Sequence, residues 1–192
     1  MIKNFLILLL SVTFFVGCSS DSEDEVSGGT TAVSYKTGVF VITDPIANLH
    51  YETATYTDEY TNDKGEFKYM EGEDVSFSVA GVDLGSAEGR AVLTPFNLVP
   101  GSEDAADSAA TNTISLLLSL TAGSYGDVLT IDNAVSAYDF ASDFDITDST
   151  DILSLLFELT ANTGTTYTAV EPETSWLDDI TNWLSDSNTT EG

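Results

Sequence analysis

The chain has 192 residues, of which 32 are acidic and 5 basic, and its formal charge is −27. A negative field of this size opposes binding to nucleic acids and to anionic lipid head groups, so neither is an expected partner. With one histidine and one cysteine, the chain lacks the residues of His-based zinc sites and of Cys–His nucleophilic sites. The sequence also lacks the glycine-rich motifs that bind nucleotides.

The N-terminus has the pattern of a secretory signal peptide. Lys3 precedes an apolar run at 5–16, broken only by Ser11 and Thr13. The run is shorter than the roughly 20 residues of a membrane-spanning helix, but it has the length of a signal-peptide core. It leads into FVGC at 15–18, where Cys18 is the sole cysteine and therefore has no disulfide partner in the chain.

The FVGC segment resembles the lipobox of bacterial lipoproteins, in which a small residue precedes the cysteine, although Phe15 stands where leucine is usual. The resemblance implies a signal peptide at 1–17 that is cleaved before Cys18, and fatty acyl chains such as palmitate on Cys18. Three such chains exceed the two signals that stable anchoring requires. Ser19 stands where aspartate favours inner-membrane retention, which implies an outer-membrane lipoprotein and leaves its leaflet open. A plain signal peptide with an unmodified cysteine is the alternative.

Residues 18–34 predict an acidic, flexible tether. DSEDE at 21–25 and SGG at 27–29 cannot bury apolar surface, and the charges repel one another. The remaining residues, 35–192, suit a single α+β domain with a β part at 35–100 and a helical part at 108–192. The acidic charge indicates either a salt-rich habitat, where salt screens the repulsion, or binding of divalent cations.

Between residues 38 and 93 the sequence predicts a meander of about five strands with one buried and one solvated face. GVFVIT at 38–43 and LHYETATYT at 49–57 are the first two strands, and VSFSV at 75–79 alternates with period two. Phe67 and Tyr69 share one face of a further strand. Turns are predicted at Asp44-Pro45, 62–65 and 71–73, and 82–84 and 91–93 complete the meander.

The stretch TNDKGEFKYMEGEDVSFSVAGVDLG at 61–85 resembles a module of bacterial surface lipoproteins and adhesin-like proteins. Thr94-Pro95 and NxxxLLxxL at 112–120 continue the pattern, which covers about residues 38–135. The first part also resembles the carboxypeptidase regulatory-like β-sandwich. The resemblance implies a surface-associated module without catalysis and names no ligand. The Asp-rich turn of such relatives is absent at 120–131, so the resemblance implies no calcium there.

The second half changes to helical periodicity, and strands followed by helices favour α+β. Three short amphipathic helices are predicted at 112–120, 151–160 and 175–185. Thr111 or Asn112 is the predicted N-cap of the first helix. The third begins with a capping-box pattern at Ser175 and Asp178. Its apolar face carries Trp176, Ile180 and Trp183, which either dock a partner or close the core.

The candidate metal site is DFDITDSTD at 143–151, which offers the oxygen ligands that calcium prefers. Its carboxylates are Asp143, Asp145, Asp148 and Asp151. Compared with a helix–loop–helix calcium loop, Asp148 stands where glycine is required and Ser154 where glutamate is required. The alternative is a loop in which Asp148 or Thr147 caps the next helix and Asp151 lies near its positive end.

Catalytic chemistry has little support in the sequence. His50 is the one histidine available to a Ser–His–Asp triad, but it lies in a predicted strand and no nucleophile-elbow motif occurs. We therefore expect a structural or surface role for His50. The expected function is a lipid-anchored binding, adhesion or structural module without a cofactor, whose ligand is a protein or polysaccharide. A calcium-dependent binding module and a carboxylate-based hydrolase are the alternatives.

Overall fold

A computed structural model describes residues 34–102, 107–121, 127–140 and 143–173. All of them belong to a unit that spans Ser34–Gly192. Cys18, the predicted signal peptide, and the predicted helix with Trp176, Ile180 and Trp183 lie outside the described residues. No helix within the described ranges is both long enough and apolar enough to cross a membrane.

The first half forms strands and the second half mainly helices, which confirms the α+β class. The strands are β1 (Lys36–Phe40), β2 (Ile46–Ala47), β3 (His50–Glu52), β4 (Glu59–Tyr60), β5 (Glu66–Tyr69), β6 (Asp74–Val79), β7 (Val82–Glu88), β8 (Val92–Leu93) and β9 (Leu129–Thr130). The helices are α1 (Pro95–Leu98), α2 (Ser108–Leu120), α3 (Asn133–Ser136) and α4 (Ser149–Thr163).

The strands form three sheets. The largest has the order β4-β3-β6-β7 and is antiparallel throughout, but β5, which lies between β4 and β6 in the chain, belongs to a different sheet, so the predicted strands do not form one continuous meander. The second has the order β5-β1-β8, and the third pairs β2 with β9. The β1–β8 and β2–β9 pairs are parallel. Parallel pairing requires a long connection between the two strands, and strands β2 to β7 form that connection between β1 and β8.

The predicted strand at 49–57 is shorter in the structure. It is confined to β3 because the Thr53 hydroxyl accepts hydrogen bonds from the amides of Thr55 and Tyr56, at 3.1 and 2.9 Å. This local side-chain turn competes with the strand ladder, as threonine commonly does outside regular structure. The chain then reaches Asp58, whose φ is +56°, before it re-enters the sheet as β4.

Helix α2 begins four residues earlier than predicted, at Ser108, and the predicted cap at Thr111 or Asn112 is wrong. Asp107 caps α2 instead, because its carboxylate accepts from the amides of Ala109 and Ala110 at 2.9 and 3.1 Å. The intervening residues carry no apolar periodicity, but alanine has high helix propensity and extends the helix. Thr111 is inside the first turn, where its hydroxyl donates to the Asp107 carbonyl.

The cap of α4 confirms one of the two predictions. The Asp148 carboxylate accepts from the Thr150 amide at 2.8 Å, and Asp151 lies in the first turn. The helix ends at Gly164, a left-handed C-cap with φ +76°, whose amide donates to the Thr160 carbonyl. The apolar stripe Ile152, Leu155, Leu156 and Leu159 is buried, as its spacing predicts.

Candidate functional site

A cavity of about 230 Å³ lies where the β part meets α3 and the residues after it. The β part contributes Asn48, His50, Tyr60, Ser78 and the turn at 79–81. The later part of the chain contributes Ser136, Ala137, Tyr138 and Asp139. The volume is below the roughly 300–1,000 Å³ of sites that enclose drug-sized ligands, so the cavity suits one small chemical group.

Asn48 joins the two halves at the cavity. The two hydrogens of its side-chain amide nitrogen are shared among three acceptors, the Ile131 carbonyl at 2.8 Å, the Asn133 side-chain oxygen at 3.0 Å and the Ser136 hydroxyl at 2.9 Å. Its backbone amide donates to the Thr61 carbonyl, and its φ is +63°, which asparagine tolerates better than most residues. These bonds fix α3 against the loop before β3.

The hairpin between β6 and β7 forms a second fixed edge of the cavity. Ala80 and Gly81 both have positive φ, +52° and +78°, as in the type I′ turns that join tightly paired strands. The Phe140 amide donates to the Ala80 carbonyl at 2.8 Å. A Cβ on Gly81 would collide with the Asp139 carboxylate, so a larger residue there would displace the Asp139 side chain from the turn.

His50 is held from both sides by neighbours across the sheet. Its Nδ1 lies 2.7 Å from the Ser78 hydroxyl, and its Nε2 lies 3.4 Å from an Asp58 carboxylate oxygen and 4.0 Å from one of Glu52. The ring contacts Tyr60 edge-on, with centroids 5.2 Å apart. In the neutral tautomer that carries its proton on Nε2, the nitrogen facing the carboxylates, Nδ1 accepts from Ser78.

Ser78, His50 and Asp58 therefore lie in the order of a catalytic triad, but two features disagree with that role. The Asp58 side chain is 85% exposed, whereas the aspartate of a triad is buried and hydrogen-bonded to the imidazole. Ser78 lies inside β6 and is paired with both β3 and β7, not on the sharp turn that exposes a nucleophile. The arrangement orients the imidazole as part of the cavity wall.

Tyr138 is fixed by α4. Its hydroxyl donates to a Glu158 carboxylate oxygen at 3.0 Å and accepts from the Asn162 side chain at 3.3 Å. The hydrogen bond to Glu158 raises the pKa of Tyr138, because the donated proton is held by the carboxylate. Tyr138 therefore stays neutral at physiological pH and contributes its ring to the cavity.

Among the described residues, the charged side chain that lines the cavity is acidic. Asp139 lines the cavity, and none of the lysines and arginines in the described ranges does so. Two of these cations are engaged elsewhere: Lys36 pairs with Glu71 at 3.4 Å, and the Lys68 ammonium lies 5.3 Å from the centre of the Tyr35 ring. The cavity therefore favours a ligand group that is neutral or positively charged.

The acidic loop at 143–151, the candidate calcium site, is organised by its own hydrogen bonds. Asp145 accepts from the Thr147 hydroxyl and amide at 2.7 and 2.9 Å, and Asp151 accepts from the Asp145 amide at 2.8 Å. Asp148 caps α4, and Asp143 is exposed. Within the described residues, no group of three or more His, Cys, Asp or Glu side chains is placed to hold a metal ion.

Comparisons with known proteins give no relative: no protein family, curated protein or solved structure matches the chain. The resemblance to surface lipoprotein modules thus remains a prediction. Sequence reasoning placed His50 in a strand but did not identify the cavity residues Asn48, Tyr60, Ser78, Tyr138 and Asp139. One available signal was the Ala-Gly pair after the alternating run at 75–79, which is where a two-residue hairpin turn brings β6 and β7 together.

Proposed function

We propose that the protein is an outer-membrane lipoprotein, anchored through acyl chains on Cys18, that acts as a non-catalytic binding module. Its acidic tether holds the α+β domain away from the bilayer, and its ligand is part of a surface polysaccharide or protein. The cavity between the β part and α3 is the observation that supports a binding role. It is concave, combines aromatic and polar side chains, and is built on hydrogen bonds that fix its edges before a ligand arrives.

The fixed geometry favours recognition. Two hydrogen bonds cross the junction of the two parts: the Asn48 side-chain amide donates to the Ser136 hydroxyl, and the Ala80 carbonyl accepts from the Phe140 amide. Ligand binding to such a site costs little ordering entropy, because its edges are already fixed. Tyr60 is 39% exposed, which leaves its ring available for a ligand.

The binding role is tested by filling the cavity. Ala137 lines it and is exposed, so Ala137→Trp introduces a large side chain without disturbing the core. Ala134→Trp is the matched control, because Ala134 is an exposed residue of α3, the helix that Ala137 caps at its C-terminus, and does not line the cavity. Cells that display each variant are compared for attachment to matrix or to neighbouring cells. We expect the loss of attachment with Ala137→Trp alone, and equal attachment by both variants would refute the cavity as the binding site.

The anchor is tested separately with Cys18→Ser. Metabolic labelling with an alkynyl fatty acid should mark the parent protein and not the variant, and the variant should leave the membrane fraction. Retention of the variant in membranes with unchanged processing would show that Cys18 is not the lipid attachment site. This outcome would leave the cavity test unaffected, since the two experiments measure different parts of the chain.

A further inference from the structure

We infer that the cavity binds a quaternary alkylammonium group, such as that of choline, an inference that rests on the proposed binding function and names its ligand chemistry. Two tyrosine rings, those of Tyr60 and Tyr138, line the cavity beside His50. Rings of this kind attract a cation through the negative potential of the ring face, and they do so best for cations that hold water weakly. Asp139 adds a carboxylate to the same lining.

The lining favours a quaternary over a primary ammonium. The Ser78 hydroxyl is bonded to His50, and the Ser136 hydroxyl lies 2.9 and 3.2 Å from the Asn48 amide and carbonyl, so the main acceptor left for a primary ammonium is the Asp139 carboxylate. A primary ammonium must place three donors on acceptors. A quaternary ammonium has no donor and needs only ring faces and a nearby negative charge, both of which the cavity supplies.

The negative charge around the cavity disfavours anionic ligands. Asp139 lines the cavity, and Asp58 and Glu52 lie beside His50. No lysine or arginine among the described residues lines the cavity to compensate for these carboxylates. An anionic group would therefore meet repulsion both from the lining and from the net charge of the chain, −27. Phosphocholine should accordingly bind more weakly than choline.

The chain offers a specific reporter for this test, because His50 is its single histidine and lines the cavity. In full-length protein without a histidine tag, in maltoside micelles at fixed pH, its imidazole C–H protons give resonances that need no assignment. Choline is titrated against 3,3-dimethylbutan-1-ol, its uncharged isostere, and against ethanolamine, its primary-amine counterpart. We expect choline to shift the His50 resonances with an affinity about tenfold above that of either analogue, as two aromatic contacts imply.

Two matched pairs of variants assign the effect to the lining. Tyr60→Phe keeps the ring and should retain choline binding, whereas Tyr60→Leu should weaken it about threefold to tenfold. Asp139→Asn should weaken choline binding by up to about fivefold and leave the neutral isostere unchanged. Asp132→Asn controls for net charge, because Asp132 caps α3, asparagine caps equally well, and the side chain does not line the cavity.

Each outcome decides the inference. Equal binding of choline and its uncharged isostere, tighter binding of ethanolamine or phosphocholine, or no shift of His50 at choline concentrations on the order of tens of millimolar would overturn it. The same holds if Tyr60→Leu binds choline as well as Tyr60→Phe. If choline selectivity fails while Ala137→Trp still abolishes attachment, the binding function stands and its ligand has a different chemistry. If Ala137→Trp retains attachment while choline selectivity holds, the cavity binds choline but is not the site of attachment.

Discussion

The β part and the α2–α4 pair bury their apolar residues in different ways. The centre of the β part is a group of aromatic rings: Phe77 lies 4.5 Å from Phe40 and 5.4 Å from Phe67 between ring centroids, the second pair edge-to-face. Tyr51 extends the group, 6.0 Å from Phe67. The fully or nearly fully buried apolar residues of α2 and α4 are instead aliphatic, among them Ile114, Leu116, Leu117, Ile152, Leu155, Leu156 and Leu159.

The two kinds of core should differ in how well they tolerate substitution of their buried residues. Aromatic pairs favour particular ring orientations and contribute energy beyond the area that they bury. Aliphatic side chains of similar volume replace one another at small cost when the total volume is kept. We therefore expect the β part to depend on the identity of individual residues and the α2–α4 contact to depend mainly on volume. The cavity edges at Asn48 and Gly81 belong to the β part, the part that we expect to depend on the identity of individual residues.

Replacing Phe77 should have the largest effect. Phe77→Ala removes a ring that is 1% exposed and contacts three others, and it should lower the free energy of unfolding by about 3–5 kcal/mol. Leu155→Met, which conserves volume between α4 and its neighbours, should lower it by less than about 1.5 kcal/mol. Urea unfolding followed by far-UV circular dichroism measures both at the same salt concentration.

Phe77→Leu sharpens the comparison, because it keeps much of the volume and removes the ring. If aromatic geometry matters, its cost should clearly exceed that of Leu155→Met. Similar costs for the two substitutions would show that both cores respond to volume alone, provided that the dependence on urea is unchanged among the variants.

In both parts, the elements with a clear hydrophobic period were predictable from the sequence. In β5 and β6 the alternation of apolar and polar residues places Phe67, Tyr69, Val75, Phe77 and Val79 on the buried face, as observed. In α4 the spacing of leucines and Ile152 predicts the buried stripe. These patterns report burial directly, since each side chain faces the core or solvent according to the period of its own element.

Several elements that are too short to show a period were not predicted. β9 has two residues and α3 has four, and β9 pairs with β2, far away in the chain. The cavity depends on such long-range placement: His50 meets Ser78 and Tyr60 because they are register partners across the sheet. A single sequence indicates strands but does not fix which residues stand opposite one another, so His50 was expected to be structural or at the surface and its neighbours were not identified.

The start of α2 gives a smaller effect. Asp107→Ala removes the side chain that accepts from the amides of Ala109 and Ala110, and it should lower the free energy of unfolding by about 1 kcal/mol. Asp107→Asn retains an acceptor at the same position and should cost no more than a few tenths of a kcal/mol. Thermal unfolding of the two variants checks the difference. Equal losses would show that the charge of Asp107, rather than its hydrogen bonds, stabilises the helix start.

The smallest effect is a pH dependence at the start of α4. The hydrogen bonds from the Thr150 amide and hydroxyl to Asp148 lower the pKa of its carboxyl, because they favour the ionised form. A carboxyl with a lowered pKa in the folded state contributes stability that is present above its unfolded pKa, about 4, and is lost as the pH falls through the lower folded value. The folded protein should therefore lose this contribution in acid.

Asp148→Asn isolates the contribution, since asparagine also caps helices but does not titrate in this range. Acidification also reduces the repulsion among the many carboxylates of the chain, which raises stability and opposes the effect of Asp148 in the parent protein. The difference in melting temperature between parent and variant removes that shared term. The melting temperature of the parent minus that of the variant should be constant above about pH 5 and should decrease as the pH falls below about 4. Parallel melting curves across this range would mean that the hydrogen bonds to Asp148 do not distinguish its charged form, and that the cap acts through its geometry alone.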